Sequence, residues 1–219
     1  MKILILGATG RTGQHLLEQA LQRGHQVHVL VRDKSKIAFH TTNLTVFEGS
    51  PLDKTALENA MKGCEAVLSA LNVSRTGDWP WSKLRSPKDL LSSVMKALIE
   101  LMPTCSIRRL IFISAWGVGE TKKDIPGWFR WFIDHSNISY PYLDHENQEE
   151  LARQTTLEWT AVRPAGLTNG GMIKRVKLSF NNDPRPNWII NRKSVASFML
   201  DILEKNLYTR QSPVISRSK

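Results

Sequence analysis

The stretch Lys2–Gly13, KILILGATGRTG, decides the reading of the chain. Lys2–Leu6 is an aliphatic run of strand length, and it breaks directly into glycines at positions 7, 10 and 13. A helical pattern follows over Gly13–Arg23, with Leu16, Leu17, Ala20 and Leu21 on one face and Gly24 as its stop. A second strand, Gln26–Val31, comes next. Strand, glycine turn, helix and strand in this order form a phosphate-binding βαβ unit. Gly7 permits the tight turn, Gly10 lets the backbone approach a pyrophosphate, and Gly13 lets the helix lie close to the strand. The helix N-terminus offers free N–H groups and the positive end of its dipole. Gly7, Thr9, Gly10, Arg11, Thr12 and Gly13 are therefore the first candidates for holding a dinucleotide.

The end of the second strand selects the dinucleotide. An acid there binds ribose hydroxyls and favours NAD, whereas an arginine accommodates a 2′-phosphate. Arg32 occupies the place, with Arg11 in the glycine loop and Lys36 shortly after it to help clamp a dianion. NADP(H) is the expected cofactor. Asp33, one residue on, keeps NAD(H) open if it turns inward.

Working outward, further strands are expected at Leu44–Glu48, Ala66–Ala70, Arg109–Ser114 and Trp159–Arg163. Helices are expected at Asp53–Lys62, Asp89–Met102, His145–Gln154 and Lys193–Lys205. Nearly continuous apolar strands alternating with helices point to a doubly wound parallel α/β sheet with helices on both faces. The 219 residues fit one domain: a dinucleotide-binding core over 1–164 and a small, irregular, dependent lobe over 165–219 ending in a helix. Two connections, 72–88 and 116–139, are rich in Trp and belong to the ligand-facing rim.

Composition narrows the function classes. No apolar run is long enough to span a bilayer, and the opening run is too short for a signal peptide. Cys64 and Cys105 form neither a disulfide framework nor a metal site and read as free thiols, which places the protein in the cytoplasm. The six histidines have no metal-ligand spacing. The net charge of +10 sits mostly beyond Val162, where eleven basic residues face three acidic ones. Apart from Lys174, Arg175 and Lys177 these are scattered, so the bias is toward anionic small molecules and not toward nucleic acid.

The residues GATGRTG (Gly7–Gly13), VLVRD (Val29–Asp33), FISAWGVG (Phe112–Gly119) and DHENQEELARQTTLEWTAVRP (Asp144–Pro164) are similar in kind and spacing to one family. Over most of its length the chain resembles the atypical short-chain dehydrogenase/reductases, in the NAD(P)-binding group of flavin reductase (biliverdin reductase B). The resemblance implies a Rossmann fold, NADPH binding and hydride transfer to a flavin, quinone or related conjugated acceptor. By it, Ser114 stands beside the nicotinamide as a catalytic candidate. Ala70, Leu71 and Asn72 line the ribose side, and Pro164, Ala165, Gly166 and Leu167 form the wall over the nicotinamide. Three departures stand out. The Tyr-x-x-x-Lys pair is missing, since Tyr142 precedes Glu146 and Tyr140 precedes Asp144; Gly166 takes the place of a family histidine; and Ser50 replaces an acid beside the adenine.

Other groups have two readings. His145 is either a proton donor or a residue of a helix start capped by Asp144. Trp116, Tyr140 and Tyr142 are candidates to stack on a planar acceptor or to pack. Trp128, Trp131 and Phe132 share one helical face, which favours burial or an interface. Asp124 with Asp134, and Glu149 with Glu150, read as solvated faces. The expected activity is an NADPH-dependent oxidoreductase using a soluble planar acceptor, the flavin being substrate and not a prosthetic group. The alternative is a non-catalytic NADP(H) sensor like the NmrA-type regulators. A monomer or a homodimer fits either.

Overall fold

The computed structural model describes residues 1–172 and 175–218. Lys174, one of the three clustered bases, lies outside them. In chain order the strands are β1 (Lys2–Leu6), β2 (Gln26–Val31), β3 (Leu44–Glu48), β4 (Ala66–Ser69), β5 (Arg109–Ile113), β6 (Glu158–Pro164), β7 (Gly166–Thr168), β8 (Val176–Ser179), β9 (Ile189–Asn191) and β10 (Val214–Arg217). The helices are α1 (Arg11–Gln22), α2 (Lys54–Met61), α3 (Leu90–Thr104), α4 (Gly127–Asp134), α5 (Ser139–Arg153) and α6 (Arg192–Glu204). Eight strands form one sheet in the order β3-β2-β1-β4-β5-β6-β10-β8, all parallel except β8. The doubly wound α/β architecture is as the alternation of elements requires.

Alternate residues of β1 serve opposite faces, as the period of two demands. Ile3 and Ile5 pack with Leu16, Leu17 and Met199 from α1 and α6. Leu4 and Leu6 pack with Leu57, Met95 and Ala152 from α2, α3 and α5. The direction of strand order reverses between β1 and β4, the crevice where such sheets bind ligands.

Three stretches differ from the expectation. The segment after Pro164 ends in a strand and not in a helix: β10 returns to pair with β6, and β8 pairs with β10 antiparallel. The stretch 116–139 holds a 3-10 helix, Gly119–Asp124, and then α4. Finally α5 starts at Ser139, six residues before the expected start at His145. Pro141 is tolerated there because the first-turn N–H groups lack intrahelical partners anyway.

The early start of α5 overturns the reading of Asp144 as its cap. Asp144 sits mid-helix and buried, and caps α3 instead. Its carboxylate accepts from the N–H of Leu91 at 2.6 Å, the N–H of Ser92 at 3.0 Å and the Ser92 hydroxyl at 2.6 Å. Asp89, at the N-cap position of α3, makes no side-chain cap bond.

Candidate functional site

The glycine loop is held by contacts that exclude side chains. At Gly7, with φ of +80°, a Cβ would lie 2.8 Å from the Ala70 carbonyl carbon, so the end of β4 presses on the turn. At Gly13 a Cβ would come within 1.9 Å of the Gly7 oxygen. Gly13 therefore sets the approach of α1 to the loop, and it is not among the residues lining the cleft. The N-cap of α1 is Gly10, with no side-chain cap bond and no acid in the first turn. That N-terminus keeps its N–H groups and its dipole uncompensated by side chains.

A cleft of about 1000 Å³ opens from this loop across the ends of β4, β5 and β6. Its lining brings together most of the residues picked from sequence: Gly7, Thr9, Gly10, Arg11 and Thr12 at one end, and Ser114, Trp116, Tyr142 and His145 at the other. Arg32, Ser50, Ala70, Leu71 and Asn72 lie along it, and Pro164, Ala165, Gly166 and Leu167 close it. Tyr140 is not part of the lining. It is 40% exposed on α5, one residue before the side of the helix that presents Pro141, Tyr142 and His145 to the cleft.

The charge of the cleft is one-sided. Among the described residues its wall carries five arginines, Arg11, Arg32, Arg75, Arg85 and Arg192, against one carboxylate, Asp78. Arg11 and Asp78 pair at 2.9 Å, both exposed, which ties the loop after β4 to the glycine loop. Arg192 is nearly buried and donates to Asn169 at 2.6 Å. Burial, and then the neighbouring Arg11 charge, hold its guanidinium below the ordinary value. A cation crowded by another cation is what an anionic ligand relieves. Arg192, Arg75 and Arg85 were not picked from sequence, because no motif surrounds them.

Asp33 does not turn inward. Its carboxylate accepts from the Ser35 hydroxyl at 2.6 Å and the Ser35 N–H at 3.0 Å, capping the 3-10 turn Lys34–Lys36. Those two bonds hold its carboxyl below the usual range. Lys36 pairs with Asp33 at 3.6 Å, and neither residue lines the cleft.

At the other end, the buried Ser114 hydroxyl donates to Glu149 at 2.5 Å. Glu149 is not part of a solvated face: it is 0% exposed. It also accepts from Arg163 at 2.6 and 2.9 Å and from Arg153 at 2.8 Å. Glu120 completes the group by pairing with Arg163. Burial works against the Arg163 charge, but the hydrogen bonds to Glu149 and Glu120 outweigh it and raise its pKa. With its proton committed to Glu149, Ser114 can accept a hydrogen bond on the cleft side but has none to give.

His145 is buried, and burial pushes its pKa down to about 4. The Gln148 amide nitrogen, 2.8 Å from Nδ1, donates there and assigns the proton of the neutral ring to Nε2. Tyr142 is pushed up to about 12 by burial. The buried Trp116 has its indole N–H without a partner among the described residues, and its ring tilts against that of Trp188 at 5.7 Å. Trp128 stands at the cleft mouth, 69% exposed; with Trp131 it leaves the aromatic face of α4 largely open. Cys64 and Cys105 are free, and burial pushes the Cys64 thiol up to about 12, away from any thiolate chemistry. No described helix is long and apolar enough to cross a membrane, and no described cluster of His, Cys, Asp and Glu has the makings of a metal site.

The family model described as NAD(P)H-binding matches residues 7–206. An oxidoreductase of Pestalotiopsis microspora is 29% identical over 75% of this chain, which spans 66% of that relative's length, a little under two thirds. A short-chain dehydrogenase/reductase of Veillonella parvula, solved in complex with NADP, superposes with a TM-score of 0.78 at 23% identity, covering 99% of this chain and 94% of the other. The anaerobillin reductase ChuY of Escherichia coli O157:H7 superposes with a TM-score of 0.81 at 16% identity, over 100% of this chain and 98% of its own.

Proposed function

The chain belongs to the NAD(P)H-binding family, and on that premise we propose that it is an NADPH-dependent reductase of a planar conjugated acceptor such as a flavin or quinone. One observation carries the reading: the uncapped N-terminus of α1, framed by glycines, opens into a cleft whose wall bears five arginines and one carboxylate.

In this reading the loop Gly7–Thr12 and the N–H groups of α1 hold the pyrophosphate. Arg32 holds the 2′-phosphate; the turning of Asp33 onto Ser35 supports this choice of NADP(H) over NAD(H). Ser50 borders the adenine side, and Ala70, Leu71 and Asn72 the ribose. NADPH bound in this way supplies a hydride to an acceptor stacked on it. Ser114, donating to Glu149, accepts from the carboxamide N–H₂ and so fixes the ring's orientation, while Ala165, Gly166 and Leu167 close over it. His145, neutral with Nε2–H, donates a hydrogen bond to the acceptor without protonating it, and the acceptor takes its proton from solvent. Trp116 and Tyr142 wall the acceptor's place. The catalysis left to the protein is proximity and orientation.

The test is NADPH oxidation by the purified protein, followed by absorbance, with FMN, FAD, riboflavin and simple quinones, and NADH in parallel. Turnover that is faster with NADPH, with the preference lost in Arg32→Glu, supports the reading. An unchanged preference in Arg32→Glu overturns the clamp. A second reading rests on the same two side chains: neither Ser114 nor His145 is left as an acid, as suits a non-catalytic NADP(H) sensor. Tight NADPH binding without turnover of any acceptor would select it.

A further inference from the structure

The connection 74–85 folds as a short hairpin. The Thr76 N–H donates to the Lys83 carbonyl at 2.9 Å, and the Arg85 N–H donates to the Ser74 carbonyl at 2.8 Å. Its tip carries Trp79 and Trp81 and is fastened to the end of α4. The Trp81 indole N–H donates to the His135 carbonyl at 3.1 Å, and the Asn137 amide donates to the carbonyls of Trp81 at 2.9 Å and Ser82 at 3.2 Å. From there the rings run on without a break. Trp79 meets Trp81 at 5.5 Å, Trp81 meets Phe132 at 5.8 Å, Phe132 meets Phe129 at 6.3 Å, and Phe129 meets Trp128 at 5.5 Å. Trp131 stacks on His135 at 4.6 Å.

This patch is open to solvent. Trp79 and Trp128 are each 69% exposed, Trp131 61% and Trp81 48%. Single exposed apolar residues are ordinary, whereas a contiguous group of four exposed indoles marks an interaction surface. The hydrogen bonds between hairpin and helix hold it ready, so little ordering is left for a partner to supply. Tryptophan is amphipathic, and it collects where lipid headgroups meet acyl chains.

Charge selects the occupant. The hairpin and α4 carry Arg75, Lys83, Arg85 and Arg130 against Asp78 and Asp134. Both carboxylates are already paired, Asp78 with Arg11 and Asp134 with Lys122. Arg75 braces the hairpin by donating to the carbonyls of Trp79 and Pro80. Lys83, Arg85 and Arg130 have no carboxylate partner among the described residues, on a chain whose net charge is +10. A second copy docked face to face would bring the same bases of both copies into one interface, which like-charge repulsion disfavours. Indoles interleaved with unpaired bases instead match a surface that is anionic at its face and apolar beneath.

We propose that the hairpin tip and the open face of α4 dock on an anionic lipid bilayer, the indoles entering the headgroup region and Lys83 and Arg130 meeting lipid phosphates. Trp128 and Phe129 belong also to the mouth of the dinucleotide cleft, so the docking surface adjoins the cleft. Lipid binding is read without turnover, and its outcome is independent of what the cleft reduces.

The experiment is co-sedimentation of the full chain with vesicles of phosphatidylcholine containing phosphatidylglycerol, against vesicles of phosphatidylcholine alone, with tryptophan fluorescence followed in parallel. The expected result is saturable binding to the anionic vesicles with a blue shift of the emission, and much weaker binding to the neutral ones. Affinity falls about tenfold in Trp79→Ala/Trp131→Ala and about 25-fold in Lys83→Gln/Arg130→Gln. Circular dichroism checks that both variants keep the fold. Failure to bind anionic vesicles overturns the proposal, as does equal binding to neutral ones. Binding undiminished in Trp79→Ala/Trp131→Ala overturns it too, because the scattered bases elsewhere would then be responsible. Sedimentation velocity without lipid adds one more arm: a dimer that this double variant dissociates would make the patch a contact between copies and overturn the lipid assignment.

Discussion

Glu149 and Glu150 are neighbours of the same chemistry, and the structure separates them sharply. The Glu149 side chain is 0% exposed and that of Glu150 61%. Glu149→Gln keeps the shape but turns one oxygen into an N–H₂ group that faces donors, since Arg163, Arg153 and Ser114 all donate to this carboxylate. Arg163 is 1% exposed and would retain only Glu120. Removing one partner of a buried pair costs about 3–5 kcal/mol, because the other charge stays buried. Glu120 remains in place, which sets the expectation at the low end, about 3 kcal/mol. For a domain of this size that lowers Tm by roughly 6–12 °C. Glu150→Gln loses only a 3.6 Å contact with the half-exposed Arg153, and the expected change is within about 0.5 kcal/mol. Guanidinium unfolding followed by tryptophan fluorescence, with calorimetry alongside, reads both. A Glu149→Gln protein within about 1 kcal/mol of the parent would refute the reasoning, as would two variants equally destabilised.

Three further outcomes are expected. Gly13→Ala places a Cβ 1.9 Å from the Gly7 oxygen, so the loop must shift; stability falls by about 1–3 kcal/mol and NADPH affinity is largely lost, and an unaltered affinity in a fluorescence titration would count against the loop's role. Asp144→Ala strips three bonds from the first turn of α3 and leaves two backbone N–H groups without their acceptor, at a cost of about 3 kcal/mol measured by denaturant unfolding; a change under about 0.5 kcal/mol would mean that the cap is not needed. His145 has its pKa depressed to about 4 by burial, so below its unfolded value near 6.5 the unfolded chain binds the extra proton and the native state does not. Its contribution is complete above pH 6.5 and is lost as pH falls toward about 4, by roughly 3 kcal/mol. In His145→Gln that part of the slope disappears, and curves of stability against pH that stay parallel for parent and variant would show that the ring is not buried neutral.

The elements legible in the sequence were those whose cause is local. A glycine triplet between an aliphatic run and an amphipathic helix has one good geometry, and Ile3/Ile5 against Leu4/Leu6 shows a strand covered on both faces. What escaped depended on partners far away in the chain. β10 has only Val214 and Ile215 as apolar residues and becomes a strand through β6, some fifty positions earlier. Arg192 reaches the cleft because β7 and β9 pair and carry the start of α6 there. The polar run of α5 is the instructive case. DHENQEE reads as solvated if polarity alone is the guide, but Pro141, Asp144, His145, Gln148, Glu149 and Ala152 are the buried positions, and they recur at the spacing of one helical face. The stripe was present in the sequence, written in polar residues because its neighbours are the bare end of α3, the Ser114 hydroxyl and the Arg163 guanidinium. A buried polar face is built where specific groups must be satisfied, and this one lies directly behind the cleft. The residues hardest to read were therefore those that fix Ser114 and His145 in place.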